Sequence, residues 1–409
     1  KQRKCKLLAC VLAAVMVFGS TFASAETTVS RYTGSTYTHN AQFDNCVIVD
    51  GVDVSAYQET IDWQAAKRNG VDFAIIRVAY RGYGAAGNMN PDNCFVKHIE
   101  GAKAAGVMVG VYFFSQALNT LEARAEARYA LELLGSYDLD LPIFMDYEFS
   151  TSSKGRFTNG TISKIEATEN ARAFCDYIRE NSRFEAGVYA NLNFLNKTVD
   201  GSQLSQRYPI WVAQYNKRCD YGNAYEFWQY SSKGEVDGYT GVLDVNFWYK
   251  DTSEQTTGLK ASDGTSGIVN LGWDSVSADD VEGYQVWRSD SDQGKYTLLK
   301  TTTDCSYTDT TAEGGKVYQY KVRCYWTIGG DAYYGTFSSP VSVITSLEKV
   351  AGIATQTRTE TSLGLSWEET QGAVGYQIYQ YSAASGQYEM AADVGDGSTS
   401  YTISGLTGA

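Results

Sequence analysis

The stretch LPIFMDYEF, residues 141–149, is an apolar run that ends in two carboxylates, Asp146 and Glu148, one residue apart. Its length and apolar character are typical of a buried β-strand. Helix-like stretches lie on both sides, TLEARAEARYALELLG at 120–135 and KIEATENARAFCDYIREN at 164–181. A strand between two such helices predicts a crossover unit of a parallel sheet. Because side chains at i and i+2 of a strand point to the same side, both carboxyls are expected to face one pocket.

The same alternation continues in both directions through residues 46–250. Further strand-like runs lie at 47–55, 72–80, 107–115, 185–195 and 208–216. Repeated strand–helix units predict an α/β fold in which a parallel sheet closes into an irregular TIM-like (β/α) barrel, more compact than a large eight-fold one. Residues 225–250 combine alternating aromatic residues with Gly-containing turns, which predicts an antiparallel finish. In such barrels, functional residues lie at the carboxyl ends of the strands.

The N-terminal segment predicts export. Residues 1–25 carry four basic residues, then the apolar run LLACVLAAVMVFG, then Ala23-Ser24-Ala25, which is an Ala-x-Ala cleavage signal. We therefore expect a signal peptide at 1–25 and a secreted protein, extracellular or cell-wall associated, without membrane insertion after cleavage. Residues 26–45 are polar and lack periodicity, which predicts a linker or mobile arm.

Charge and composition exclude several classes of function. The formal net charge is −13 and becomes −17 without the four basic leader residues. Such acidity argues against nucleic-acid binding and against electrostatic adhesion to anionic membranes. The chain has two histidines, His39 and His98, which leaves little room for a serine triad or histidine-bound zinc. The sequence also lacks ligand-spaced Cys and His clusters and Gly-rich phosphate loops, so we expect no metal and no organic cofactor.

Beyond a polar spacer at residues 251–257, short strand-like runs alternate with Thr/Ser/Gly turns. Two such units follow, at 258–346 and 347–409, and the second repeats the motif order of the first. Each resembles a fibronectin type III module, an all-β sandwich with a tryptophan on an early strand, Trp273 or Trp367. The second unit ends before its last two expected strands, so we expect it to be truncated.

Six cysteines remain after removal of the leader. They are widely spaced: Cys46, Cys94, Cys175, Cys219, Cys305 and Cys324. Cys305 and Cys324 fall on adjacent predicted strands of one β unit and are the one bridge that the sequence suggests, with buried free thiols as the alternative.

Four stretches of the predicted barrel place acidic or polar residues at strand ends: Asp53-x-Ser55-x-x-Gln58, Asp146-x-Glu148, Gln214-Tyr215 and Asp244-x-Asn246. Clustered carboxyls raise the pKa of at least one member by like-charge repulsion. Glycoside hydrolysis needs such a protonated carboxyl beside an ionised one. The pattern therefore predicts carboxylate acid catalysis. An Asp that starts a helix after a strand is often a plain cap, and this alternative applies to Asp53 and Asp244.

A series of barrel motifs runs from DVSAYQETIDW through AIIRVAYRG, VGVYFFS, FMDYE, GVYAN, IWVAQY and FWQYSS to LDVN. In this order the motifs resemble the family 25 glycoside hydrolases, the Chalaropsis-type lysozymes, over residues 50–249. The resemblance implies an N-acetylmuramidase that cleaves the β-1,4 bond between N-acetylmuramic acid and N-acetylglucosamine in peptidoglycan glycan strands. It implies that Glu148 is the general acid and that three further acids surround the reacting sugar: Asp53, Asp146 and Asp244. We expect a monomer.

Five further residues are predicted to bind sugar hydroxyls, acetamido groups or ring faces. They fall at or near predicted strand ends: Tyr112, Tyr147, Tyr189, Gln214 and Trp228. Core packing is the alternative for each of them. In the stretch VYFFS, Phe113 stands where many relatives carry a histidine, so no polar contact is expected from that position.

Other functions and mechanisms fit parts of the sequence. A non-catalytic wall-binding or adhesive protein would keep the barrel as a lectin, but the intact Asp146 and Glu148 pair argues against it. A chitinase-like glucosaminidase typically carries Asp-x-Asp-x-Glu on one strand, whereas Phe144 stands two residues before Asp146. Retaining, inverting and substrate-assisted courses stay open, and we favour participation of the substrate's own 2-acetamido group, oriented by Asp146.

Overall fold

The computed structural model describes residues 26–150, 152, 155–264, 267–276, 281–290 and 294–406. The signal peptide predicted at residues 1–25 lies outside this part of the chain. Within it, no helix is both long and apolar enough to cross a lipid bilayer.

A closed barrel of eight strands follows a short N-terminal hairpin. The strands are β1 (Thr27–Val29), β2 (Thr36–Thr38), β3 (Cys46–Val54), β4 (Phe73–Arg81), β5 (Met89–Pro91), β6 (Met108–Ser115), β7 (Ile143–Tyr147), β8 (Ala186–Asn191), β9 (Ile210–Ala213), β10 (Phe227–Gly234) and β11 (Leu243–Asp251). β1 pairs with β2, and the barrel order is β3-β11-β10-β9-β8-β7-β6-β4, with β3 also paired to β4. β5 adds antiparallel to the end of β4.

The barrel is parallel except for one strand. Every neighbouring pair from β3 through β10 is parallel, whereas β11 runs antiparallel to both β10 and β3. The α/β barrel prediction is confirmed. The antiparallel finish is confined to β11, because β10 still runs parallel to β9.

Helices cover part of the outside. They are α1 (Trp63–Arg68), α2 (Phe95–Ala104), α3 (Thr120–Leu134), α4 (Lys164–Asn181), α5 (Leu192–Lys197) and α6 (Gly201–Ser205). The carboxylate of Asp62 accepts a hydrogen bond from the Ala65 backbone N–H at 3.0 Å and caps α1. Asp53 is therefore not the cap of this helix. Residues 214–242 form no helix, so the outer faces of β10 and β11 have no helical cover.

Aromatic side chains fill the barrel interior. The Phe227 ring on β10 lies 5.9 Å from that of Phe73 on β4 and 5.2 Å from that of Phe144 on β7. Neither β4 nor β7 neighbours β10, so these contacts cross the inside of the barrel. Gly51 faces the same space, since a Cβ there would lie 2.4 Å from the Phe73 ring. Trp211 packs on Phe144 at 5.3 Å and continues this core toward the strand ends.

Residues 26–45 differ from the mobile linker that their polar composition predicts. Tyr37 and Phe43 are buried, and Phe43 stacks on Tyr249 of β11 with ring centroids 3.6 Å apart. His39 is buried as well, and its Nδ1 lies 2.8 Å from the Tyr249 hydroxyl. The physical reason is that the uncovered outer face of β10 and β11 needs an apolar partner, and a few aromatic residues in a polar segment supply it.

Beyond the barrel, the described chain is all β. The strands are β12 (Lys260–Asp263), β13 (Val269–Gly272), β14 (Gly283–Ser289), β15 (Thr297–Thr302), β16 (Ser306–Asp309), β17 (Val317–Ile328), β18 (Asp331–Tyr334), β19 (Val341–Ile344), β20 (Ala354–Arg358), β21 (Ser362–Ser366), β22 (Tyr376–Ser382), β23 (Gln387–Val394) and β24 (Ser400–Ser404). One sheet has the order β12-β13-β16 and another β15-β14-β17-β18, with β19 also on β17. Their buried side chains, including Leu271 and Val322, share one cluster. The sheets β20-β21-β24 and β22-β23 repeat the order of the first five strands.

The expected disulfide does not form. All six cysteines in the described chain, Cys305 and Cys324 included, are free thiols. Cys305 lies beside β16, where its carbonyl accepts from the Trp273 N–H, whereas Cys324 lies on β17 of the other sheet. Strands that are adjacent in sequence belong here to different sheets, which separates the two thiols.

Candidate active site

The carboxyl ends of the parallel strands surround a cavity of ≈ 620 Å³. Every barrel strand contributes to its wall, with Asp53, Arg77, Tyr112, Asp146, Tyr189, Trp211, Gln229 and Asp244 among the lining residues. Because β11 runs in the opposite direction, Asp244 reaches this end from the start of its strand. Among the described residues, no group of three or more His, Cys, Asp or Glu side chains is arranged to hold a metal ion.

Asp146 and Glu148 both line this cavity. Asp146 lies on β7, and Glu148 follows the strand's last residue, Tyr147. Tyr147 points the other way, and its hydroxyl donates to the Ala117 carbonyl at 2.9 Å. The two-residue period of the strand thus brings the two acids to one side, as the sequence predicts.

Asp53 and Asp244 complete the acidic wall. They occupy paired positions on the antiparallel strands β3 and β11. Oδ2 of Asp53 accepts hydrogen bonds from Nε2 of Gln229 at 2.7 Å and Nδ2 of Asn246 at 2.9 Å. Asp244 lies within β11 and precedes no helix, so the capping alternative fails for it too.

Burial raises the pKa of all four carboxyls. For Asp53, the charge of Asp244 adds to this effect, and for Asp146 the charge of Glu148 does so. The pKa of Glu148 is raised by burial and then by the charge of Asp244, while burial raises the pKa of Asp244 to about 6. Oδ1 of Asp146 is buried without a hydrogen-bond partner. Burial and like-charge repulsion among four such groups favour a protonated form of at least one of them.

The structure places two of the five predicted sugar-binding residues, Tyr112 and Tyr189, on the cavity wall. The other three lie elsewhere. Tyr147 and Trp228 are fully buried on the outward side of their strands, and the indole N–H of Trp228 donates to the Gln214 carbonyl at 2.9 Å. The Gln214 side chain turns to the surface, where its amide donates to Asp220 at 2.6 Å. None of these three side chains lines the cavity: Tyr147 and Trp228 pack in the core, and Gln214 makes a surface contact.

Three polar residues beside the acids have no role in the sequence prediction, although Asn246 is named there at a strand end. Gln229 and Asn246 donate to Asp53, and Arg77 lines the cavity while its Nε donates to Asp92 at 2.7 Å. A signal was available in the strand LDVNFW, where Asn246 follows Asp244 by two residues and so shares its face. The same period places Gln229 on the inner face of β10.

Comparisons with known proteins agree with this barrel. Residues 52–239 match the family described as glycosyl hydrolases family 25. The chain is similar to the uncharacterized protein YegX of Escherichia coli O6:H1, with 28% identity over 219 residues, 52% of this chain and 73% of that protein. It is similar to the autolytic lysozyme of Clostridium acetobutylicum, with 27% identity over 201 residues, 48% of this chain and 54% of that protein. A solved structure, the spore cortex lytic enzyme SleM of Clostridium perfringens, aligns with a TM-score of 0.45 and 20% identity over 73% of this chain and 98% of that one. The match to glycosyl hydrolases family 25 thus falls on the barrel of this chain.

Proposed function

We propose that this protein is a secreted N-acetylmuramidase, a lysozyme that hydrolyses the β-1,4 bond between N-acetylmuramic acid and N-acetylglucosamine. The observation that carries the proposal is the convergence of four carboxyl groups on one cavity of a family 25 glycosyl hydrolase domain. The similarity to an autolytic lysozyme supports the substrate class. Peptidoglycan glycan strands are the proposed partner.

Glu148 is the proposed general acid. It stands just beyond the end of β7, and burial together with the charge of Asp244 raises its pKa. A carboxyl that keeps its proton near neutral pH can protonate the leaving glycosidic oxygen. After departure of the leaving sugar, the resulting carboxylate accepts a proton from the attacking water.

Asp146 is the proposed partner of the substrate's 2-acetamido group. Its Oδ1 lies buried in the cavity wall without a hydrogen-bond partner, so this oxygen is free to accept the acetamido N–H. The acetamido carbonyl oxygen then attacks the anomeric carbon as the glycosidic bond breaks, and water opens the cyclic intermediate with net retention. An Asp146 carboxylate stabilises the positive charge that this ring carries.

Aromatic side chains at the mouth of the cavity fit a polymeric substrate. Tyr57 is 82% exposed, Tyr215 59% and Tyr83 47%, and all three line the cavity. Exposed tyrosines present flat faces to sugar rings and a hydroxyl to their polar edges. A glycan strand that extends beyond the reacting bond would contact them.

The C-terminal β units are proposed to act as fibronectin type III-like spacers at residues 258–346 and 347–409, carrying the catalytic domain at residues 46–250 away from a surface. We propose that the protein acts as a monomer outside the cell or at the cell wall. The likeness to fibronectin type III modules is supported by the first unit, in which two sheets pack through a shared buried cluster.

The test is mass spectrometry of purified peptidoglycan after digestion and borohydride reduction, which marks new reducing ends. Wild type is expected to yield reduced muramic acid, and Glu148→Gln none. Glu132→Gln, an exposed helix residue, is the matched control and should act as wild type. Reduced glucosamine would instead support a chitinase-like glucosaminidase. Absence of new ends despite binding to the wall would support the lectin alternative.

A further inference from the structure

We infer that Gln229 and Asn246 are positioning residues that hold Asp53 in one orientation and favour its ionised form for the reaction. The inference rests on the proposed function and adds two residues that act through a carboxylate rather than on the sugar. Both are buried, with Gln229 2% exposed and Asn246 fully enclosed. Both direct an amide nitrogen at the same oxygen of Asp53, Oδ2, at 2.7 and 2.9 Å.

The orientation of the Asn246 amide follows from its second contact. The indole N–H of Trp211 donates to Oδ1 of Asn246 at 2.8 Å. An indole nitrogen can only donate, so the oxygen of Asn246 must face Trp211 and its NH₂ group must face Asp53. In a flipped amide, the NH₂ group of Asn246 would face the Trp211 N–H and its oxygen would face Oδ2 of Asp53, so neither hydrogen bond could form.

The Gln229 amide is oriented in the same way. The hydroxyls of Tyr189 and Tyr215 donate to Oε1 of Gln229 at 2.9 and 3.0 Å. With its oxygen occupied by two donors, Gln229 presents its NH₂ group to Asp53. Oδ2 of Asp53 thus receives two N–H donors and has no room for a proton of its own. Hydrogen bonds to an ionised acceptor are stronger than those to a neutral one, so this arrangement favours the carboxylate.

The surroundings of Asp53 instead favour its protonated form. The ionisable groups that face it are Arg77 on β4, Tyr112 on β6, Asp146 on β7, Glu148 after β7, Tyr189 on β8, Tyr215 after β9 and Asp244 on β11. Burial and the charge of Asp244 raise the pKa of Asp53 well above its usual value, and the bonds from Asn246 and Gln229 counteract part of that rise. Asp146 has no comparable donors and leaves one oxygen unpaired. The two amides therefore favour the ionised form of Asp53, a support that Asp146 does not receive.

An oriented Asp53 carboxylate could stabilise the charge that develops on the sugar. Positive charge develops on the sugar ring as the glycosidic bond breaks, and a preoriented carboxylate stabilises it without reorganisation. Gln229 and Asn246 lower the cost of that ionised form through their two hydrogen bonds to Oδ2. Their loss should therefore change the pH dependence of the reaction, which a purely structural role would leave in place.

The experiment compares Asn246→Leu and Gln229→Met with Asn170→Leu. Asn170 is a buried amide on α4, 1% exposed, that donates to the Tyr147 hydroxyl at 3.1 Å, outside the cavity. The pKa of Asp53 is measured by ¹³C NMR of labelled aspartate carboxyls, with Asp53→Asn used to assign the signal. Each cavity variant should raise that pKa by about one unit, because a hydrogen bond to a charged group is worth about 1.5 kcal/mol or more. The acid limb of kcat/KM should move to higher pH by the same amount, with kcat reduced more than KM is changed.

The outcomes separate the two proposals. An unchanged Asp53 pKa in folded Gln229→Met and Asn246→Leu overturns the inference, whatever the activity. If Asn246→Leu fails to fold, Gln229→Met decides, since its side chain borders the cavity. If the two variants shift the pKa of Asp53 but the wild-type protein does not hydrolyse peptidoglycan, the proposed function is refuted and the role toward Asp53 stands. A shift of equal size in Asn170→Leu would overturn the inference.

Discussion

Asp53 and Asp244 occupy paired positions on β3 and β11, and both carboxyls line the same cavity. One comes from the end of a strand and the other from the beginning of its antiparallel neighbour. After burial, the charge of Asp244 is the next cause that raises the pKa of Asp53 and of Glu148. Asp244 therefore acts on the proposed general acid, Glu148, and on the carboxyl that Gln229 and Asn246 orient.

Asp244→Asn should move both limbs of the pH profile of kcat/KM to lower pH, by about one unit. Removal of a negative charge lowers the pKa of Glu148, so the acid loses its proton at lower pH and the alkaline limb moves down. It also lowers the pKa of Asp53, so the acid limb moves in the same direction. The measurement is the initial rate of peptidoglycan hydrolysis across the pH range. Asp393→Asn, in β23, is the control, and an unmoved profile in Asp244→Asn would refute the coupling.

Asp50 should make the protein less stable as pH rises. Burial raises its pKa to about 6, its Oδ1 has no hydrogen-bond partner, and the Arg31 Nε lies 3.6 Å from Oδ2. The folded state keeps the proton up to about pH 6, whereas an unfolded aspartate loses it near pH 4. Stability is therefore lost as pH rises from about 4 through 6, by about 3 kcal/mol.

Urea unfolding at pH 5 and pH 8 checks this expectation. Asp50→Asn should be more stable than wild type at pH 8 and should depend less on pH. Asp44→Asn, at an exposed position, should follow the wild-type dependence. Equal slopes for Asp50→Asn and wild type would contradict the assignment.

Phe43→Ala should cost about 3–4 kcal/mol of unfolding free energy. The side chain is 5% exposed, stacks on Tyr249 and contacts Tyr225 at a ring distance of 4.8 Å. The contacts lie on the outer face of the barrel, so kcat/KM of the folded variant should be unchanged. Val29→Ala, at a residue 67% exposed, should change stability by less than about 0.5 kcal/mol. If Phe43→Ala also lost less than about 0.5 kcal/mol of unfolding free energy, residues 26–45 would not belong to the barrel fold.

Tyr147→Phe and Tyr189→Phe should have different effects. The Tyr147 hydroxyl donates to the Ala117 carbonyl and accepts from Asn170, so its loss should cost about 1–2 kcal/mol of stability and leave KM unchanged. The Tyr189 hydroxyl lies at the cavity and orients Gln229, so its loss should lower kcat/KM with a small change in stability. Thermal unfolding and steady-state kinetics separate the two. A raised KM in Tyr147→Phe would restore it to the sugar-binding set.

Part of this fold can be predicted from local sequence. The two-residue period of LPIFMDYEF places Asp146 and Glu148 on one side, and the alternation of strand-like and helix-like runs predicts the parallel barrel. The same local logic also misplaced residues. Tyr147 and Trp228 lie at strand ends but on the outward face, because a neighbour in sequence takes the opposite side of a strand.

Periodicity is a property of each segment, and it therefore determined which elements form and which residues within a strand share a side. Contacts between distant segments were decided only when the chain closed. The pairing of β11 with β3 brought Asp244 to Asp53, and closure of β10 against β11 brought Gln229 and Asn246 to one carboxylate oxygen. The burial of residues 26–45 depended on an uncovered barrel face. The separation of Cys305 from Cys324 depended on which sheet each strand joined. Register and sheet membership arise from the packing of the whole chain, which no single stretch of it encodes.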